Sequence, residues 1–379
     1  MRILVLSPVY PPYKGGMGTV AAQEVRLMQE AGYTVRVITP GYSDKLLPTE
    51  EHVTCIDPLY AWGNGAILPW RKIWREIKTH DVVHLHYPFF GTALPVACMA
   101  RFAKKRLVVS WHMRAQAERR AVVRGALFFL HRLFEEPIIK RFADIICVSS
   151  SDYATLLKLP AKKVILVPFG VDDRRFTQKR NTALRTSKNI SESTCVFLFV
   201  GGMDRAHAFK GVSLLLHAFA KVPQTTNVRL WLVGDGDLRP VYEALAQELG
   251  ITSRIAFLGS VPFEDLPGIY QAADVHVLPS VSGAEAYGLV TCEAGASGIP
   301  SIVSALPGVR SLVVDGETGL HVKPGDIMSL SQALLRLVAN KEEREQFGSA
   351  AYKKITKDFT LQTEQAALLR AYTERGTVV

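Results

Sequence analysis

A chain of 379 residues with 48% hydrophobic side chains and a net charge of +10 is long enough for two domains, each with its own core. No apolar run approaches the roughly 20 residues that cross a bilayer, and the opening Met-Arg-Ile-Leu-Val-Leu-Ser reads as a buried strand, not a signal peptide. Five scattered cysteines (Cys55, Cys98, Cys147, Cys195, Cys292) have no metal-ligand spacing and read as buried thiols in a reducing, cytoplasmic setting.

Short β-branched runs alternate with helical patterns along the chain, which predicts α/β architecture with parallel sheets covered on both faces. Strands are expected at 2–7, 33–39, 82–86, 106–110 and 144–148, and again at 196–201, 228–233, 254–258, 274–278 and 300–303. The polar stretch 173–194 breaks both periodicities and reads as a linker between a domain at 1–172 and one at 195–360, with a final helix over 361–379. Two doubly wound domains with a ligand cleft between their strand C-termini are the expected architecture. The first 172 residues hold +9 of the net charge, and residues 101–141 alone carry eleven bases against three acids. Such a face suits an anionic neighbour.

After the first strand, Pro8 to Gly18 forms a loop whose glycines, Gly15 and Gly16, allow close backbone approach to a ligand at a helix N-terminus. The loop is too long and proline-rich for a dinucleotide fingerprint, which argues against a dehydrogenase. His84 and His86 share one strand face, but no third ligand is near in sequence, so they read as core residues and not a metal site. His112 ends the strand Val108-Val109-Ser110-Trp111-His112, where a structural role and a functional one are both open. From Glu118 to Phe134 an apolar stripe is flanked by arginines. It suits either a core-packed helix or one lying on an anionic membrane.

The second half carries the denser chemistry. Phe197–Val200 runs into Gly201-Gly202, then a loop to Lys210-Gly211 that contains Arg205 and His207. A guanidinium and an ammonium are natural partners for a diphosphate. Gly234 and the Ser260-Val261 pair follow two further strands. Strand 274–278 then stops at Pro279, and Glu285-Ala286-Tyr287-Gly288-Leu289-Val290-Thr291-Cys292-Glu293 places two acids eight positions apart around a glycine turn. The helix N-terminus between them suits a phosphate, and the acids suit sugar and ribose hydroxyls on either side.

These motifs, in this order from Pro11-Pro12-Tyr13-Lys14-Gly15-Gly16 to Asp315-Gly316-Glu317-Thr318-Gly319-Leu320, closely resemble those of retaining GT-B glycosyltransferases of the family-4 type. The resemblance implies two Rossmann-like domains facing across a cleft, with the last helix returning to the first. It implies a metal-independent hexosyltransferase that needs no cofactor beyond its nucleoside-diphosphate sugar donor. Glu285 would hold the sugar, Glu293 the ribose, and amides of Ala286, Tyr287, Gly288, Leu289 and Val290 the diphosphate. Lys210 and Arg205 would neutralise the leaving group, with His112, Gly15 and Gly16 closing from the other domain. Gly202, Gly234, Ser260 and Val261 would line the nucleotide. The family more often has arginine where this chain has Gly202, with a loop three residues shorter, so Arg205 stands as its replacement. Acceptors of the family include saccharides, lipid-linked sugars and small molecules, and an anionic membrane surface joins them as a partner. No nucleic acid is expected, since the basic stretch lacks interleaved aromatics. An epimerase, a silent sugar-nucleotide binder and a polyanion-binding protein are the competing readings.

Overall fold

The structure is a computed structural model that describes residues 1–13, 15–41, 50–62, 65–113 and 131–374. It divides into two units, Met1–Phe169 with Gln362–Val379, and Gly170–Leu361. The expected strands all appear, within one residue of their expected ends.

In the first unit the strands are β1 (Arg2–Leu6), β2 (Thr34–Pro40), β3 (Val53–Ile56), the hairpin β4 (Tyr60–Trp62) with β5 (Gly65–Ile67), β6 (Val82–Tyr87), β7 (Arg106–Trp111), β8 (Ile145–Val148) and β9 (Val164–Leu166). Seven of them form one sheet in the order β3-β2-β1-β6-β7-β8-β9, so the winding reverses between β1 and β6. Ile3, Leu4, Leu6, Val83, Leu85, Val108 and Val109 are wholly buried, as strands covered on both faces require. The hairpin and the edge strands β3 and β9 escaped the sequence reading. Each is three or four residues long, too short to display a period.

The helix Gly16–Glu30 follows β1, and the final helix, Leu361–Thr373, packs beside it. Gln23 donates to Glu364 at 2.6 Å and Gln365 to the Leu27 carbonyl at 2.8 Å.

The second unit repeats the design with β10 (Cys195–Val200), β11 (Val228–Val233), β12 (Ile255–Gly259), β13 (Val275–Leu278), β14 (Ser301–Ser304) and β15 (Gly319–Val322). Their order, β12-β11-β10-β13-β14-β15, is the doubly wound one, all parallel, reversing between β10 and β13. Phe197, Phe199, Leu215, Phe219, Leu230 and Leu232 fill the core beneath it, each buried aromatic or leucine contributing about 1.5–3 kcal/mol. In an open parallel sheet, ligands bind beyond the strand C-termini at the reversal point. Here that is where the loops after β10 and β13 meet.

Residues 173–194 lie within this second unit. Thr182–Ser187 is a helix capped by the Asn181 side chain, and Arg185 is completely buried. Its two terminal nitrogens donate to groups inside the protein instead of to water, in a stretch that a composition-based reading takes for solvated chain.

Candidate active site

Glycines bring the loops after β10, β11 and β13 together. At Gly211, φ is +80°, and a Cβ would lie 2.3 Å from the Pro279 carbonyl oxygen. At Gly234, φ is +132°, and a Cβ would fall 1.9 Å from the Gly201 oxygen. Only glycine permits both backbone contacts. Just before Gly211 a short 3₁₀ segment, Arg205–Lys210, is capped by Asp204, whose carboxylate also holds the His207 ring at 2.7 Å.

That segment delivers Lys210 to the β13 loop. Its ammonium donates to Glu285 Oε2 at 2.7 Å, with side chains only 14% and 11% exposed, and Ser280 Oγ stands 3.4 Å from the same oxygen. These two residues are 75 positions apart, and the reversal of winding brings them face to face.

The helix Leu289–Ala296 begins at Gly288, with φ +87°, and no side chain caps its first turn. Helix N-termini carry unpaired amides and a partial positive charge, so an anion is the natural partner here. Glu293 sits in its second turn, half-buried, accepting a 2.7 Å hydrogen bond from the Tyr270 hydroxyl. Desolvation pushes the Glu293 carboxyl above its usual range, opposed by Tyr270, Arg175 and Lys210. The Lys210 charge is felt by His276 as well, whose imidazole burial first, then that ammonium, pushes down to about 3. One cation thus lies within electrostatic reach of both acids of the eight-residue spacing. Tyr270, Ser280 and His276 were not singled out from the sequence. Tyr270 lies in a helix, His276 in β13 and Ser280 just beyond that strand, and only the fold sets Tyr270 against Glu293, Ser280 against Glu285 and His276 within reach of the Lys210 charge.

Other expected residues fall into place unevenly. Ala286 and Tyr287 are buried, so side-chain packing is their visible role. Gly202 follows β10, and a Cβ there would come 3.0 Å from His207 Nδ1. Ser260 and Val261 follow the outer strand β12. Arg205 is not brought to the Lys210–Glu285 pair. Its side chain is 84% exposed and ion-paired at 3.1 Å with Asp237, whose carboxylate also accepts from the Arg205 amide.

In the first unit, Gly15 caps the helix Gly16–Glu30, and a Cβ on Gly15 or Gly16 would meet nothing within 4 Å. His112 is buried beyond β7, its Nε2 bonded to His86 Nδ1 at 2.7 Å and its ring stacked on His86 and Phe169. Burial pushes its imidazole down to about 3, so it stands neutral. Lys14 and most of the Glu118–Phe134 segment lie outside the described residues.

Comparison with known proteins agrees with this geometry. Residues 181–354 match the family described as "Glycosyl transferases group 1" and residues 14–175 match "Glycosyltransferase Family 4". The chain is 30% identical to a D-inositol 3-phosphate glycosyltransferase of Geodermatophilus obscurus, over 95% of this chain and 84% of that one. It is 29% identical to a phosphatidyl-myo-inositol mannosyltransferase of Mycobacterium leprae, over 98% and 96%. Among solved structures, Anabaena HepE in complex with UDP superposes with a TM-score of 0.81 at 19% identity, covering 98% of this chain and 100% of that one. With two Rossmann-like units of matching strand order, the fold is GT-B, and the chain belongs to the group 1, family-4-type glycosyltransferases.

Proposed function

We propose that this enzyme moves a sugar from a nucleoside-diphosphate donor to an acceptor hydroxyl with retention of configuration. The observation that carries the reading is the Lys210–Glu285 pair at the β10/β13 reversal, beside the uncapped N-terminus of Leu289–Ala296. In the reaction the acceptor oxygen forms a bond to the sugar C1 on the face from which the C1–O bond to the diphosphate breaks. The acceptor proton passes to a diphosphate oxygen. Lys210 and the amides near Gly288 stabilise charge on the departing diphosphate, a role that on this reading falls to no metal. Glu285 accepts from donor-sugar hydroxyls and Glu293 from the ribose.

One relative is a phosphatidyl-myo-inositol mannosyltransferase and another a D-inositol 3-phosphate glycosyltransferase, which favours a polyol or lipid-linked acceptor. HepE with UDP favours a uridine donor as the first to try. A thermal-shift panel of UDP, GDP, ADP and their sugars tests the reading. A donor at 100 times its Kd should stabilise by ~2.7 kcal/mol. The best donor is then offered to inositol phosphate, phosphatidylinositol and simple saccharides. No stabilisation by any nucleotide would remove the proposal, and epimer formation without transfer would replace it.

A second observation bears on where the acceptor is met. Leu59, Tyr60, Trp62, Ile67 and Trp70 are exposed on and beside the β4–β5 hairpin. The adjoining helix Trp70–Thr79 buries Ile73 and Ile77 and exposes Arg71, Lys72, Arg75 and Lys78. Aromatic side chains next to a row of cations suit the headgroup region of an anionic bilayer. Co-sedimentation with phosphatidylglycerol vesicles should fall by about 10-fold or more in Lys72→Glu/Arg75→Glu, each neutralised contact being worth ~1 kcal/mol. Unchanged sedimentation would discard this surface.

A further inference from the structure

The sequence shows only a pair of histidines on β6, but the fold supplies a third group. Glu24, from the helix Gly16–Glu30, points its carboxylate at His84 and His86, and all three residues are buried. Glu24 Oε2 lies 3.6 Å from His84 Nε2 and 3.5 Å from His86 Nε2. Those are poor hydrogen-bond lengths. They are close to the edge of a tetrahedron with bonds of 2.0–2.2 Å, about 3.3–3.6 Å. One ligand atom from each residue lies within 4.8 Å of the others. Ser110 Oγ, on the β7 residue paired with His86, is 3.4 Å from the carboxylate and hydrogen-bonds His84 Nε2 at 2.8 Å.

The outer contacts also fit. His84 Nδ1 bonds the Tyr372 hydroxyl at 2.5 Å, and His86 Nδ1 bonds His112 Nε2 at 2.7 Å. Protons on both Nδ1 atoms would leave both Nε2 atoms as acceptors, that of His86 open and that of His84 taking the Ser110 hydroxyl, and metal-bound imidazoles are held through the far nitrogen in this way. His86 Nε2 and Glu24 Oε1 have no hydrogen-bond partner in this dry place. A buried carboxylate facing unprotonated imidazoles is costly unless a cation or a proton joins it.

We infer that Glu24, His84 and His86 bind one divalent first-row metal ion, Zn²⁺ by donor type, in the core of the first unit. The ion ties the helix Gly16–Glu30 to β6 and is separate from the diphosphate site of the second unit. Through His86 it also holds His112 as a hydrogen-bond acceptor at Nε2, which positions the His112 ring.

Full-length protein from zinc-supplemented cells, and protein refolded from urea with one equivalent of Zn²⁺, should retain about one zinc per chain after dialysis, by elemental analysis. Glu24→Gln and His86→Gln should each lower that content at least tenfold, while Glu317→Gln, in the other unit, should not. Refolding with Co²⁺ should give the visible absorption of a tetrahedral ion with nitrogen and oxygen donors. This readout uses the unaltered chain and stands even where the variants fail to fold. Less than a tenth of an equivalent of zinc in both wild-type preparations would overturn the site and leave a proton in the metal's place. Full zinc retained by both variants, or sulfur ligation of cobalt, would overturn it equally.

Discussion

Lys210→Ala should lower turnover at least ~100-fold while the second unit stays folded, the scale of losing one preorganised electrostatic contact to a developing charge. Glu285→Gln should lose a similar factor. The two side chains touch at 2.7 Å, so their effects share one interaction. Lys210→Ala/Glu285→Gln should therefore fall well short of the product of the single losses. Arg205→Ala is the control. Its guanidinium is exposed and paired with Asp237, a contact worth 0–1 kcal/mol, so a change under about 5-fold is expected. Single-turnover rates with the donor that stabilises most in the thermal-shift panel, together with circular dichroism, decide the matter. Wild-type turnover in Lys210→Ala would remove the leaving-group role. A loss in Arg205→Ala as large as in Lys210→Ala would mean that substrate pulls Arg205 from Asp237 into the site.

The sequence made these residues legible to different degrees, and the reasons are physical. Lys210 and Glu285 flank glycine-led loops at strand ends, where backbone demands leave a visible mark: Gly211 and Gly288 have positive φ and no alternative residue. Arg205 passes for the motif's missing arginine because sequence shows residue type, not which neighbour a side chain will choose. Asp237 lies 32 positions on, across a turn, and decides it. Tyr270 against Glu293 and Glu24 against His84 and His86 were invisible for a related reason. Each joins a helix to a distant element, and a polar residue inside an amphipathic pattern carries no sign of its partner. The strands were legible because burial on both faces writes continuous apolar runs. Edge strands such as β3 and β9 have too few residues to do so.

Arg185 shows the same limit from the stability side, and its removal is the largest structural effect expected. It lies in a run of polar residues that reads as linker, yet its side chain is 0% exposed. The guanidinium donates to the carbonyls of Ala272 (2.8 Å), Ser191 (2.7 Å) and Thr194 (2.6 Å) and to Asp274 Oδ2 at 3.1 Å. It thereby fastens the helix Thr182–Ser187 to the end of the helix Leu266–Ala272 and to the start of β10. Asp274 Oδ2 also accepts from the Val196 amide at the head of that strand. Arg185→Ala would strand three buried carbonyls, weaken the pairing of Asp274 and open a cavity, at a cost of about 3–5 kcal/mol to the second unit. Arg180→Ala removes a partly exposed neighbour that also pairs with Asp274, at 3.0 Å, and should cost no more than ~1 kcal/mol. Lysine at 185 cannot reproduce the fork and should fall between the two. Because the two units need not unfold together, native-state hydrogen exchange of the β10 and β13 amides is the proper readout, not one melting temperature. Protection of those strands in Arg185→Ala within ~0.5 kcal/mol of wild type would mean that 173–194 hangs on the second unit without supporting it. Loss on the expected scale would make this segment part of the scaffold that sets the β10 loop, and with it Lys210, in place.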